Sequence, residues 1–310
     1  MERLINDRYS FVRGFNYFPS NVTFLRDVTE MFDENLWMKE LGYARIMGAN
    51  TIRVWFDIDS HMRNQERFLE VFSKILTIIR SYDMKLMPVL YNDWVDKEHP
   101  IGAIYPQDIY SGSRKRHYDY LKSVVGTFSQ EETIIMWDLC NEPYSSEYEW
   151  GEELLNKQTD FWLDLANYIH QLKPKQPLTM GTHSFVSRTP ECIYKELDVL
   201  SCHVYQGWEN DTFEETLEPH VKHANEIGKA LVCTETFQGS LNDVRRALCI
   251  ERCKKAFKAA NVGYIAFQLM EGKMISARRD WTDDNCAPGD RGYFPFVLLD
   301  GTVRENHTLL

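Results

Sequence analysis

The chain has 310 residues, 44% hydrophobic and 26% charged, and its 46 acidic against 35 basic side chains give a formal net charge of −11. Those proportions suit a globular protein with a substantial core and exclude wholesale disorder, while the negative charge opposes a phosphate backbone or an anionic bilayer, so no nucleic acid and no membrane is expected as a partner. No apolar run approaches the length of a membrane span, and Met1-Glu2-Arg3-Leu4-Ile5-Asn6-Asp7-Arg8 lacks the apolar core of an export signal, which predicts a cytoplasmic location.

Strand candidates fall at about 11–17, 51–56, 85–91, 133–139, 177–181, 198–204, 230–235 and 263–269. Amphipathic helices lie between them. From Asn64 to Ser81, Phe68, Val71, Phe72, Ile75, Ile78 and Ile79 recur at i, i+3, i+4 spacing, and Tyr118, Leu121, Val124, Val125 and Phe128 repeat the pattern. Strands alternating with helices imply a parallel sheet of the α/β class. A (β/α)8 barrel runs to roughly 250 residues, so the predicted fold is a (β/α)8 TIM barrel, a single domain over residues 1–310. Two connections, at about 92–113 and 270–292, are long and rich in aromatic residues, as ordered walls of a binding cleft would be.

Seven cysteines is an odd count, and Cys140, Cys202 and Cys233 lie inside strand candidates, so buried free thiols are expected. Cys249 and Cys253 share a helix face, yet no Cys-x-x-Cys or histidine cluster accompanies them. His220 and His223, with Glu226, read as a solvated helix face. No Gly-x-Gly-x-x-Gly, Walker or Gly-x-Ser-x-Gly element is present, and neither a metal nor an organic cofactor is expected.

Two carboxylates stand out. Glu142 ends the apolar run Trp137-Asp138-Leu139-Cys140-Asn141, and Glu235 ends Leu231-Val232-Cys233-Thr234. They are 235 − 142 = 93 residues apart, and a barrel brings all its C-terminal strand ends into one mouth. Two carboxylates there can cleave a glycosidic bond, one donating a proton to the leaving oxygen while the other attacks or supports the sugar carbon. Arg53 sits on an apolar strand and needs a partner, either in the site or in a structural pair with an aspartate. His203 and Tyr205, two apart on one strand, point to the same side. Trp55, Trp94, Trp208 and Trp281 fall at or after strand ends, where aromatic plates can stack on sugar C–H faces. Asn16, Asp57, Asn92, Asp93 and Gln238 are candidate partners for sugar hydroxyls, Asn16 and Asp93 before the rest.

Taken together, Gly14-Phe15-Asn16-Tyr17, Thr51-Ile52-Arg53-Val54-Trp55, Asn141-Glu142-Pro143, His203-Val204-Tyr205, Glu235 and the closing Asp300-Gly301-Thr302-Val303-Arg304 resemble the retaining glycoside hydrolases of clan A, near the cellulase-like family five and the β-mannanases. The resemblance implies Glu142 as acid/base, protonated near neutral pH, and Glu235 as nucleophile, with Arg53 keeping Glu235 ionised. It implies Asn141 on the hydroxyl next to the reacting carbon and Tyr205 donating to Glu235, while His203 could bind a sugar hydroxyl or orient Glu142. Where the family carries a strand-eight tryptophan this chain has Ala266-Phe267-Gln268, so either Phe267 replaces it or Trp281 swings in. The expected substrate is a β-linked oligo- or polysaccharide of mannan or glucan type. The alternative is a barrel that binds carbohydrate without catalysis.

Overall fold

The computed structural model describes residues 8–94, 108–109, 112–144, 147–184, 186, 189–205, 213–280 and 293–310. Its strands are β1 (Arg13–Asn16), β2 (Thr51–Trp55), β3 (Lys85–Val89), β4 (Trp137–Asn141), β5 (Leu178–Gly181), β6 (Val199–Val204), β7 (Ala230–Thr236) and β8 (Gly263–Ala266). They form one sheet in the order β5-β4-β3-β2-β1-β8-β7-β6, and each registered pair is parallel. Asp198 N donates to Leu178 O at 2.9 Å and His203 N to Thr182 O at 2.8 Å, joining the two outer strands. The sheet thus curls into the expected (β/α)8 barrel.

Every residue of β2, β4, β6 and β7 is buried, because one strand face fills the barrel and the other is covered by helices. The helix Gln65–Ser81 shows how that cover forms. Asn64 Oδ1 caps it by accepting from Arg67 N at 3.0 Å, and its apolar stripe buries Phe68, Val71, Phe72, Ile75, Ile78 and Ile79. The fourth strand starts later than the sequence suggests. Ile134 and Ile135 only bridge to Leu86, and the pairing with β5 begins where Trp137 N meets Pro177 O at 2.9 Å.

The barrel interior is layered. Tyr9, Val12, Met87, Met136, Val199, Ala230, Val232 and Ile265 form a separate apolar cluster at the N-terminal end. Above it Asn16, Arg53, Asp138, Thr179, Ser201 and Thr234, all buried, make a polar layer. The described cysteines are free, all buried except Cys192. One helix reading needs correction: His220 packs inward with Phe213, Leu217 and Ala224, and burial lowers its titration to about 4.

Candidate active site

Arg53 is the hub of the polar layer. Its Nε donates to Asp138 Oδ2 at 2.9 Å, Nη1 to Asn16 Oδ1 at 3.0 Å and to Glu235 Oε1 at 2.7 Å, and Nη2 to Asn141 Oδ1 at 2.9 Å. The two partners considered for it from sequence are therefore held at once. A guanidinium suits this task because its planar fork serves several acceptors in fixed directions. Burial works against its charge, but Asp138 and then Glu235 reverse that and raise the Arg53 pKa. Close approach from β5 demands glycine: a Cβ on Gly181 would lie 2.5 Å from Arg53 Nη2 and 3.0 Å from Asp138 Oδ2.

Three register shifts at the strand ends aim the side chains. On β6 and β7, Cys202 pairs with Cys233, but His203 pairs with Glu235, which leaves Thr234 as the extra residue of a bulge. Thr234 Oγ1 then reaches His203 Nε2 at 3.1 Å, and Glu235 faces the cleft. Similar shifts occur between β4 and β5 and between β7 and β8. Glu142 follows β4 in a left-handed conformation, φ 48°, as does Tyr144, φ 68°. Non-glycine residues pay about 1–3 kcal/mol for such backbone. The turn is held by Glu142 N donating to Gly181 O at 2.7 Å and Tyr144 N to Asp93 Oδ2 at 2.8 Å.

The carboxylates of Glu142 and Glu235 meet across the mouth, and with His203 they offer atoms all within 4.8 Å of one another. Tyr205 donates its hydroxyl to Glu235 Oε2 at 2.8 Å. His203 Nδ1 lies 2.7 Å from Glu142 Oε1 and 3.5 Å from Glu235 Oε2. This trio is compact enough to be considered for a metal ion, but the Arg53 cation already stands 2.7 Å from Glu235, and the oxygens already accept from protein donors. The geometry fits proton handling better than metal binding.

Burial raises the Glu142 carboxyl, yet His183 and then His203 outweigh it and hold Glu142 below the usual carboxylate range. The direction of that shift runs against the expectation that Glu142 carries its proton near neutral pH. His183, which sequence reasoning missed, places Nε2 3.2 Å from Glu142 Oε2. Its one signal was position, two residues beyond the end of β5 and so at the same rim as the other site residues.

Trp55 stacks on Phe18, with ring centroids 4.6 Å apart and 27° between planes, and meets Phe267 edge-on at 6.3 Å. Phe267 packs edge-on against Phe294 at 5.1 Å. These rings, with Trp94, Asn92 and Asn141, line the cleft around the two glutamates. The cavity is about 170 Å³, room for a ring of pyranose size, since about 150 Å³ accepts benzene. Asn141 Nδ2 donates to Asn92 Oδ1 at 2.9 Å.

Three residues expected at the cleft have other tasks. Asn16 is buried beneath it, donating Nδ2 to Thr234 O at 2.9 Å while Arg53 takes its Oδ1. The Asp93 side chain turns inward, accepting from Gln158 Nε2 at 2.6 Å as well as from Tyr144 N. Asp57 caps the helix Ile58–Arg63. Trp208 and Trp281 lie outside the described residues.

The family model described as cellulase (glycosyl hydrolase family 5) matches residues 38–271, well over half of the chain. The mannan endo-1,4-beta-mannosidase A of Aspergillus aculeatus is 22% identical over 201 residues, covering 58% of this chain and 52% of that protein. A beta-glucuronidase of Rattus norvegicus is 22% identical over 180 residues, covering 58% of this chain and 23% of that protein. The chain therefore spans about half, or less, of the length of these curated relatives. Among solved structures, an exo-beta-1,4-mannosidase from Opitutaceae bacterium strain TAV5 superposes with a TM-score of 0.72 at 14% identity, covering 94% of this chain and 57% of that one. The endo-1,4-beta-D-mannanase from Thermotoga petrophila RKU-1 does so with a TM-score of 0.65 at 16% identity, covering 94% and 96%. At such identities the structural likeness speaks for the fold, whereas the matched family model speaks for descent: the chain belongs to the cellulase family, glycosyl hydrolase family 5.

Proposed function

We propose that this protein hydrolyses β-linked oligo- or polysaccharides of mannan or glucan type, with retention, by double displacement. Glu235 attacks the anomeric carbon while Glu142 gives its proton to the departing glycosidic oxygen. Water then displaces Glu235 as Glu142 takes the water's proton. The observation that carries this reading is the spacing of the two carboxylates, which have an oxygen each within 4.8 Å. Retaining enzymes need about 5–5.5 Å between carboxyl groups, whereas inverting ones need about 6.5–9.5 Å to admit water. Arg53 and Tyr205, both on Glu235, support its role, because donors to a carboxylate stabilise the ionised form that must attack.

The cleft's chemistry favours neutral sugars. Among the described residues lining it there is no lysine or arginine, and the Glu235 carboxylate faces inward, so a uronate carboxylate would meet like charge. Asn141, which lines the cleft with Asn92, binds the hydroxyl beside the reacting carbon on this reading.

A panel of manno-, gluco- and xylo-oligosaccharides with product-length analysis tests the proposal. Cleavage of a manno or gluco series is expected, and loss of it in Glu235→Gln. Oligosaccharide binding with no product after long incubation would instead favour a non-catalytic carbohydrate binder. In Glu142→Ala, external azide should partly restore turnover of an activated aryl β-glycoside, since that leaving group needs little protonation. No azide effect would remove Glu142 from the acid/base role.

A further inference from the structure

Glu142 has an imidazole on each oxygen, and the two differ in access to water. His203 Nδ1, 2.7 Å from Oε1, belongs to a fully buried ring whose Nε2 lies 3.1 Å from Thr234 Oγ1. His183 Nε2, 3.2 Å from Oε2, belongs to a side chain 39% exposed that lines the cleft. A proton between His183 and Glu142 can rest on nitrogen, giving an ion pair, or on oxygen, giving a neutral pair. Water in the open cleft solvates the ion pair. A sugar ring that expels the water makes separated charges costly and shifts the balance to the neutral pair. On the reading proposed above, Glu142 must hold a proton only when a sugar is bound.

We propose that His183 is the proton reservoir of Glu142: as imidazolium it keeps, in the empty cleft, the proton that passes to Glu142 when a sugar covers the site. The Nε2–H bond breaks as the Oε2–H bond forms, with no change in net charge and no proton drawn from solvent. After turnover Glu142 again holds a proton, taken from the attacking water, and returns it to His183 as product leaves. His183 acts through Glu142 and is a positioning residue. Among the described residues, the charged and titratable groups around the pair include His203 and Tyr205 from the β6 side, Glu235 from β7, Arg53 from β2 and Asp138 from β4. None of these has the solvent access of His183, so they set the field rather than exchange the proton.

The inference rests on the acid/base reading of Glu142, and two measurements separate them. The first is the pH dependence of kcat/KM on a cleaved oligosaccharide. His183→Gln keeps an N–H toward Oε2 but carries no titrating proton, so the alkaline limb should move to lower pH by about one unit or more. The shift should be larger for the oligosaccharide than for an activated aryl β-glycoside. The second needs no turnover: ring-nitrogen NMR of the unliganded protein should show His183 holding its proton to higher pH in the wild type than in Glu142→Gln. An unmoved alkaline limb in an active enzyme, or identical His183 titration in the two proteins, overturns the reservoir. Absence of hydrolysis in every protein would overturn the proposed function, while the NMR titration would still decide whether the pair shares a proton.

Discussion

Replacing Arg53 with methionine removes the cation that two buried carboxylates share. Asp138, at 0% side-chain exposure, and Glu235, at 6%, would lose their guanidinium partner, and Asn16 Oδ1 and Asn141 Oδ1 would lose a donor. Breaking a buried ion pair by removing one partner costs about 3–5 kcal/mol. Counting each lost hydrogen bond separately would overshoot, because the four act as one network. Set against the roughly 5–15 kcal/mol of a typical fold, Arg53→Met should survive expression but unfold at markedly lower urea. Activity should fall by at least about 100-fold, equivalent to about 2.7 kcal/mol of transition-state stabilisation, since Glu235 loses both charge support and orientation. Arg53→Lys should lie between, keeping the charge but reaching fewer of the acceptors. Urea unfolding followed by circular dichroism, beside kcat/KM on a cleaved oligosaccharide, gives both numbers. A destabilisation under about 1 kcal/mol with near-normal rates would refute the hub role.

Two further outcomes follow from the packing around the site. Gly181→Ala forces a methyl to within 2.5 Å of Arg53 Nη2 and 3.0 Å of His203 Nε2, so stability should drop by about 1–3 kcal/mol and kcat/KM by tenfold or more; wild-type kinetics in the variant would contradict the close approach. Burial lifts Asp93 to about 6, against the hydrogen bonds from Gln158 and Tyr144 N. A folded value raised above the unfolded one contributes stability that is complete well below about 3.8 and lost as pH rises through about 6, so between pH 4 and 7 the wild type should lose about 2 kcal/mol relative to Asp93→Asn. Parallel pH-stability curves for the two proteins would show that Asp93 does not titrate in that window.

The barrel was legible because its strands are short apolar runs spaced by helical periodicity, and parallel strands buried on both faces must read that way. Glu142 and Glu235 were visible for the same reason, each a carboxylate closing such a run. Directions at the strand ends were harder to read. Nothing local announces that Thr234 is the extra residue that brings Glu235 opposite His203, since a bulge is a property of two strands together. Asn16 and Asp93 occupy strand-end positions in sequence, but Asn16 reaches down to Arg53 and Asp93 secures the backbone of Tyr144. His183 follows a strand only four residues long, Leu178–Gly181, and carries no motif; only the fold brings it to Glu142.

Trapping of a covalent glycosyl-enzyme most directly tests the two-glutamate account. A 2-deoxy-2-fluoro β-glycoside of whichever sugar series is cleaved, followed by peptide mass mapping, should place the sugar on Glu235, in the stretch Ala230–Thr236. A label on another residue would contradict the account, as would direct formation of the inverted anomer with no adduct.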